Sequence, residues 1–245
     1  MSYPYRIFLL LTLLLAAGCA STNTIRTAQE YYKEGEDLSS GKHYEDAIAA
    51  FKRAKESYYS PDMTALAELR IADTYFSAEK YIEASVAYEE FRKAHPTHEK
   101  APYALYRQGA CAYKQIEGID TDQTPVTNAV NLFELYLQKY PAREHAKEVT
   151  NLLEATRNRQ VQHEIYIGRF YLRTDKFTAA IRRLEAALKR FPESSYHDET
   201  LFYLGQAYLK TGEKEKGRAA FERLAADFPT SKLIMKASAF MEDHY

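Results

Sequence analysis

The sequence predicts an all-α solenoid of five helical pairs, and three residue spacings support this. In five places a small residue is followed four positions later by an aromatic residue or leucine. In four of these places a proline stands eight positions after the aromatic residue or leucine, and in the fifth it stands ten positions after it. In four places another small residue stands twelve positions before the first. The five sets are Ala47–Phe51–Pro61, Ala84–Tyr88–Pro96, Ala129–Phe133–Pro141, Ala180–Leu184–Pro192 and Gly217–Phe221–Pro229, and the earlier small residues are Gly35, Ala72, Gly168 and Gly205.

This spacing resembles the tetratricopeptide repeat, a unit of about 34 residues that forms two antiparallel helices. Each small residue lets the paired helix approach closely, and the aromatic residue one turn later fills the groove between them. The proline ends the second helix because it has no N–H and its ring collides with the preceding turn. Since one pair cannot bury its own apolar stripe, the pairs are expected to stack. We therefore predict repeats one and two in residues 28–99 and repeats three to five in residues 100–245.

Two departures from the repeat period predict local features. The small residues of the second helices are separated by 37, 45, 51 and 37 positions. The extra length in repeat three coincides with a segment rich in turn residues, 117–125, which predicts a loop insert. The fourteen extra residues before Gly168 lack Gly and Pro and add about four helical turns. We expect the first helix of repeat four to be elongated, over about 145–173, and to project from the stack.

The N-terminus predicts an export signal over residues 1–18. Its apolar run, residues 7–17, would span about 16 Å as a helix, against a hydrocarbon core of about 30 Å. The run is therefore too short to cross a membrane. With Arg6 before it and small residues after it, the segment has the layout of a signal peptide.

The signal ends in a sequence, Ala16–Cys19 (AAGC), that resembles a bacterial lipobox. Alanine stands at the first position, where leucine is usual, and a chance cysteine after an ordinary signal is the alternative. The resemblance implies that Cys19 is lipidated and that residues 19–27 form a lipidated linker. Because Ala20 is not an aspartate, it also implies passage to the outer membrane.

Charge and motif content argue against nucleic-acid binding and against catalysis. Removal of residues 1–18 would take one positive charge from a net charge of −1, leaving about −2 and no reason to expect nucleic acid. The stretch from Gly35 to Gly41 resembles a phosphate loop, but it is one residue too long, and His43 stands where Ser or Thr must bind magnesium. No serine elbow or dinucleotide turn is present. We predict that the chain is not an enzyme.

The sequence also predicts no cofactor and no metal. His95 and His98 are spaced to share a metal ion, but Pro96 breaks the helix that would align them. After removal of the signal, Cys111 is the only cysteine besides the lipidated Cys19. It lies among small residues, which favours a buried, inert thiol over a catalytic one.

The remaining function typical of such solenoids is to present a concave groove to a peptide or a partner domain. The first helices of such repeats line the concave side. Their inward-facing residues stand three positions before, one after and four after the small residue of each helix. Aromatic walls with isolated carboxylates suit an extended peptide with apolar side chains. The alternative is that these residues pack helix against helix. The candidates are Tyr32, Glu36 and Ser39, then Leu69, Asp73 and Phe76, then Tyr106, Ala110 and Tyr113.

Several features in the same order resemble the BamD family, the lipoproteins of the β-barrel assembly machinery. In HPTHEKAPYALYRQG, Tyr103, Tyr106 and Gly109 follow Pro-Thr-His at three-residue steps. The long helix ending QHEIYIGRFYLR, the loop insert, the repeat count and the lipobox agree with the same family. The resemblance covers essentially the whole chain.

The resemblance implies a lipid-anchored scaffold at the periplasmic face of the outer membrane. It would insert outer-membrane β-barrels together with BamA and other Bam lipoproteins. Its N-terminal repeats would receive the β-signals of unfolded barrel proteins, and its C-terminal repeats would dock on a POTRA domain of BamA. A functional arginine of the family motif corresponds to Arg183, which with Arg182 lies off the packed stripe of its helix.

Three alternatives remain open at this point. A pilotin-like lipoprotein for secretin assembly would lack the long helix and the loop insert. A Tol-Pal accessory protein would carry a coiled-coil region before its repeats. An enzyme with a site hidden in the groove is disfavoured by the missing motifs.

Overall fold

A computed structural model describes residues 26–57 and 60–244. Within these ranges the chain forms eleven α-helices and no strand. The helices are α1 (Ala28–Ser40), α2 (Tyr44–Ser57), α3 (Pro61–Ser77), α4 (Tyr81–Ala94), α5 (Ala101–Lys114), α6 (Thr124–Lys139), α7 (Ala146–Arg173), α8 (Phe177–Arg190), α9 (His197–Lys210), α10 (Lys214–Asp227) and α11 (Leu233–His244).

The helices form five consecutive pairs, from α1 with α2 to α9 with α10, and each helix packs on the next. The final helix, α11, packs against both helices of the fifth pair. The predicted fold class, an all-α solenoid of five tetratricopeptide-type pairs, is confirmed. Helix α11 was not predicted, and it covers the apolar face that the last pair would otherwise leave open.

The small residues of the first helices face large side chains of their paired helices. A Cβ added to Gly35 would lie 2.6 Å from the ring of Phe51, and one added to Gly109 would lie 2.6 Å from the ring of Phe133. In repeat four Gly168 faces Leu184 in the same way, at 2.9 Å. A side chain at these glycines would force the facing residue to shift, because real Cβ atoms essentially never approach another atom so closely. The spacing read from the sequence is thus a steric code for helix pairing.

One turn geometry joins the two helices in four of the five pairs. In each turn a single residue has a left-handed backbone, with φ of 63° at Lys42, 59° at Glu79, 56° at Asp175 and 82° at Gly212. Three of these residues carry a Cβ, which makes the conformation cost about 1–2 kcal/mol relative to right-handed backbone. In repeat three the loop insert replaces this turn.

The first helix of repeat four is elongated, as predicted, and has 28 residues. The expectation that it projects from the stack is wrong. Its first half buries Val149 and Leu153 in the core of repeat three, and its second half buries Val161 and Ile165 in the core of repeats four and five. The added turns carry their own apolar stripe, so burial of that stripe holds the helix against its neighbours. Helix α7 therefore belongs to two hydrophobic cores, along about 42 Å of its length.

The loop insert of repeat three folds back onto this long helix. The ring Nδ1 of His163 on α7 lies 2.5 Å from the carbonyl oxygen of Ile119, within hydrogen-bond distance. Inside the loop, Thr121 donates to the carbonyl of Gly118 at 2.8 Å, and the side chain of Gln123 donates to the carbonyl of Thr121 at 2.8 Å. The insert is thus an ordered strap between repeats three and four.

The predicted signal peptide and Cys19 lie outside the described residues. The described chain begins just before α1, where Thr27 and Glu30 form a reciprocal capping box. Among the described helices, none combines the length and the apolar character that a membrane crossing requires.

Candidate peptide-binding groove

The first helices of repeats one to three form a pocket that contains three of the predicted groove residues. Tyr32 on α1 and Leu69 and Asp73 on α3 line a pocket of about 290 Å³. The other lining residues are Leu66, Arg70, Lys100 and Tyr103. The pocket therefore combines apolar and aromatic walls with a few charged groups, the composition typical of a peptide subsite.

Arg70 connects the pocket to the predicted residue Glu36. Its Nε donates to the hydroxyl of Tyr32 at 3.0 Å, and its Nη2 donates to a carboxylate oxygen of Glu36 at 2.8 Å. Burial lowers the pKa of Arg70, but the hydrogen bond to Tyr32 and the charges of Glu36 and Asp73 outweigh it and raise the pKa. The guanidinium thus stays charged and holds one wall of the pocket in place.

Asp73 lies at the centre of a hydrogen-bond network. Its Oδ1 accepts hydrogen bonds from the hydroxyl of Tyr88 at 2.5 Å and from the hydroxyl of Tyr103 at 2.8 Å. Tyr88 is fully buried, and the Nε of Arg107 donates to its hydroxyl at 3.2 Å. Burial, aided by the charge of Asp73, raises the pKa of both tyrosines, so their hydroxyls remain protonated donors.

The predicted residue Phe76 lies beside the same network, outside the pocket lining. The guanidinium of Arg107 stacks on its ring at 3.6 Å from the ring centroid, a cation–π contact. Phe76 also packs edge-on against Tyr81, with ring centroids 5.2 Å apart. Phe76 is thus a support for Arg107 more than an open wall.

Tyr106 and Tyr113 do not line the pocket. The hydroxyl of Tyr106 donates to Glu148 at 2.6 Å, and its ring stacks on His145 at 4.5 Å. Burial, followed by the bond to Glu148, raises the pKa of Tyr106 to about 12. Tyr113 is partly buried against the core of repeat three. The structure places both residues near the start of α7 or in the core, where they join repeat three to its neighbours.

Sequence reasoning missed four residues of the pocket, and two of them share a repeat position. Leu66 and Tyr103 each stand six positions before the small residue of their helix. Arg70 and Arg107, which organise the site, each stand two positions before it. Counting one more turn toward the start of each first helix would have found Leu66 and Tyr103.

The C-terminal half presents different side chains on its first helices. Tyr166 and Phe170, one turn apart on α7, are 39% and 46% exposed. Arg169 between them lies 5.3 Å from the ring centroid of Tyr203 and 3.8 Å from Glu199. This half offers aromatic groups around an arginine where the N-terminal half offers a carboxylate.

The predicted contact pair Arg182 and Arg183 lies exposed on α8. The guanidinium of Arg183 forms an ion pair of 3.3 Å with Glu164 on α7, a residue whose side chain is only 14% exposed. Arg182 makes no hydrogen bond or ion pair among the described residues. The two arginines therefore offer one tethered and one open positive charge on the same surface.

The residues considered for metal binding and thiol chemistry have other roles in the fold. The Nε2 of His95 lies 2.8 Å from Glu68, and the ring of His98 packs edge-on against Phe91. No group of three or more His, Cys, Asp or Glu residues in the described part of the chain could hold a metal ion. Cys111 is fully buried, and burial raises the pKa of its thiol to about 12.

Comparison with known families identifies the chain. A family model described as YfiO, outer membrane lipoprotein, matches residues 25–224. The chain belongs to the YfiO family. The predicted resemblance to BamD is thereby confirmed, because curated relatives of this YfiO-family protein carry the name outer membrane protein assembly factor BamD.

Two such relatives align over nearly the whole chain. The protein from Rickettsia prowazekii is 28% identical over 94% of this chain and 94% of its own length. The protein from Caulobacter vibrioides is 25% identical over 93% of this chain and 76% of its own length. Among solved structures, the TPR2AB domain of yeast Sti1 in its pHSP90 complex is 12% identical, with a TM-score of 0.48 over 89% of this chain and 82% of its own. The prediction that the chain is not an enzyme is confirmed by its family, whose curated relatives carry the name of an assembly factor.

Proposed function

We propose that this chain is a lipid-anchored scaffold that assists assembly of β-barrel proteins at the periplasmic face of the outer membrane. Its N-terminal groove would hold an extended segment of an unfolded barrel protein, and its C-terminal repeats would dock on a POTRA domain of BamA. One observation carries the groove assignment: Tyr32 on α1 and Leu69 and Asp73 on α3, nominated from their repeat positions, line a single pocket. The family and the names of its relatives support the assembly role.

The chemistry of the pocket favours an extended, neutral segment with an apolar or aromatic side chain. Leu66 and Leu69 offer an apolar bed, and Tyr32 and Tyr103 offer ring faces. The carboxylates of Glu36 and Asp73 oppose the guanidiniums of Arg70 and Arg107, and Lys100 is paired with Glu99 at 3.7 Å. The site therefore attracts neither strongly acidic nor strongly basic segments. Membrane-spanning β-strands alternate apolar and polar residues, and such strands satisfy this requirement before they pair.

A binding experiment with a matched pair of variants tests the groove. Leu66 lines the pocket and is 37% exposed, whereas Val86 is 51% exposed on α4 and lies outside this pocket. The ligand is a fluorescent ten-residue peptide with the aromatic C-terminal strand sequence of an outer-membrane barrel. Leu66→Glu should weaken its binding at least tenfold, because a charge would enter the apolar bed, while Val86→Glu should leave binding unchanged. Equal effects of the two substitutions would contradict the groove assignment.

The docking surface is tested by reversing charges on α8. Arg182→Glu removes a charge without disturbing an internal ion pair, and Arg183→Glu also releases Glu164. Each substitution should reduce recovery of BamA from detergent-solubilised membranes. Lys189→Glu, an exposed site on the same helix, serves as the control and should have no effect. Full recovery of BamA by the Arg182→Glu, Arg183→Glu double variant would remove these residues from the interface.

The same pull-down distinguishes the alternatives. Recovery of a 16-stranded, POTRA-bearing barrel supports the proposal. Recovery of a secretin would instead support a pilotin-like role, and recovery of Pal would support a Tol-Pal accessory role.

A further inference from the structure

The carboxylate of Asp73 is held through one of its two oxygens. Both Tyr88 and Tyr103 donate to Oδ1, at 2.5 and 2.8 Å. Tyr88 is itself fixed, because its side chain is fully buried and its hydroxyl accepts from Arg107 at 3.2 Å. Two donors on one oxygen define the orientation of the whole carboxylate.

The second oxygen of Asp73 has no hydrogen bond among the described residues. The nearest cation to Oδ2 is the Nη1 of Arg70, at 3.9 Å, which is beyond hydrogen-bond distance. The side chain of Asp73 is 21% exposed and lines the pocket. An ionised carboxylate accepts about four hydrogen bonds, so this oxygen is a preoriented acceptor with its capacity unused.

The surrounding charges determine which donor fits this acceptor. Arg70 and Arg107 already balance Asp73 and Glu36. Lys100, which also lines the pocket, is paired with Glu99 at 3.7 Å. A cationic group would therefore gain little attraction on entering. An anionic group would meet the Asp73 carboxylate directly. A neutral donor is not repelled by Asp73 and does not depend on a net negative charge in the pocket. In an extended peptide the most abundant neutral donor is the main-chain N–H.

We propose that Asp73 Oδ2 accepts a hydrogen bond from one main-chain N–H of the segment bound in the groove. This inference rests on the proposed function and adds a specificity rule to it. The residue that supplies the N–H cannot be proline, because proline has no amide hydrogen. Tyr88 and Tyr103 act as positioning residues that present Oδ2 to the peptide. Leu66 and Leu69 contact side chains of the segment, and Asp73 contacts its backbone.

Replacing amides by esters in the peptide tests the contact atom by atom. An ester removes a single N–H while nearly preserving the shape of the chain. Ten variants of the fluorescent barrel-strand peptide, each with one amide replaced, are titrated against the purified full chain. One ester should weaken binding about tenfold or more, since hydrogen bonds to charged acceptors are the strong class. A proline at the same position should have at least as large an effect.

The variant Asp73→Asn identifies the partner of that N–H. The asparagine carbonyl can still accept from Tyr88 and Tyr103, and this orientation turns the NH₂ group toward the pocket. An acceptor thus becomes a donor without loss of the tyrosine contacts. The parent peptide should bind this variant about tenfold more weakly, and the critical ester should bind it no more weakly than the parent does.

Tyr103→Phe tests the positioning role. Tyr103 is only partly buried, so the variant should fold, and its melting temperature verifies this. Loss of one donor frees the carboxylate to rotate, so the penalty of the critical ester should shrink severalfold while the other esters are unaffected. A merely structural role would weaken all peptides equally and leave the ester pattern unchanged.

The outcomes separate this inference from the function on which it rests. If the parent peptide binds and Leu66→Glu abolishes binding, but no ester weakens it, the groove stands and the role of Asp73 is wrong. The same holds if the critical ester retains its full penalty in Asp73→Asn. If the parent peptide does not bind the wild-type chain, the groove assignment and this inference fail together.

Discussion

The steric code at the helix pairs makes a direct prediction for Gly109→Ala in repeat three. The new Cβ would lie 2.6 and 2.8 Å from two ring atoms of Phe133, which is itself fully buried. Restoring an ordinary contact of about 3.4 Å requires the ring, and with it α6, to move by about 0.8 Å. Overpacking of this kind costs about 1–3 kcal/mol. The better helix propensity of alanine offsets about 1 kcal/mol of that cost.

We therefore expect Gly109→Ala to lower the free energy of unfolding by up to about 2 kcal/mol. Urea unfolding followed by circular dichroism measures this change. The double variant Gly109→Ala, Phe133→Leu should recover part of the loss, because leucine is smaller than phenylalanine and leaves more room for the added methyl group. Gly41→Ala serves as the control, since its φ of −77° suits alanine and its closest neighbour is the flexible side chain of His43. An increase in stability for Gly109→Ala, as helix propensity alone predicts, would refute the steric code.

Three further predictions concern single groups. The Cys111 thiol, buried and with a pKa of about 12, should not react with a maleimide at pH 7.5 until urea unfolds the chain, and rapid labelling of folded protein would contradict its placement. Burial raises the pKa of Glu68, but hydrogen bonds from Lys55 and His95 outweigh burial and lower it. The ionised carboxylate therefore stabilises the fold at pH values above its ordinary pKa of 4.5. This stabilisation is lost as the pH falls through the lowered pKa. Glu68→Gln should thus lower the free energy of unfolding by about 1 kcal/mol at pH 7 and by less as the pH falls through the lowered pKa. Urea titrations at several pH values measure this, and a difference that does not change with pH would contradict the pairing. Glu79→Gly, at a φ of 59°, should raise the free energy of unfolding by about 0.5 kcal/mol in a calorimetric scan, whereas a clear loss would mean that Glu79 contributes contacts that outweigh its strained backbone.

The repeat architecture could be predicted because its cause is local and steric. Gly109 and Phe133 are separated by eight more residues than the equivalent pair in repeat one, yet they still meet in the structure. The code survives because a loop absorbs the extra length without changing which helix faces pair. Repetition in the sequence therefore reports directly on helix packing.

The site was only partly predictable because its contacts are specific to these repeats. Asp73 was nominated from its repeat position, but its partners Tyr88 and Tyr103 follow it by 15 and 30 positions and were assigned to other roles. Tyr88 looked like a groove-filling ring, and it is buried as expected, but its hydroxyl also serves the pocket. Periodicity places a side chain on a face; it does not reveal which polar atoms meet across helices.

The length of the elongated helix was predicted correctly, but its packing against the stack was not, for a related reason. Its extra turns lack Gly and Pro, which indicates helix, but the turns that carry the apolar stripe at Val149 and Leu153 were expected to project from the stack. The stripe instead completes the core of the preceding repeat. Only the fold shows that two neighbouring cores can share one helix.

Sharing α7 changes how the solenoid can move. A stack joined only by contacts between neighbouring repeats can flex at each interface, like a chain of links. Here an unbroken helix passes through the junction, and Asn158 near its midpoint accepts a hydrogen bond from Ser194 at 2.7 Å. Flexing at that point would require breaking helical hydrogen bonds, so the repeats on either side of the junction rotate together. Over a helix of about 42 Å, a tilt of about 5° moves the far end by about 4 Å. A partner that rotates the C-terminal repeats thereby also changes the orientation of the N-terminal pocket.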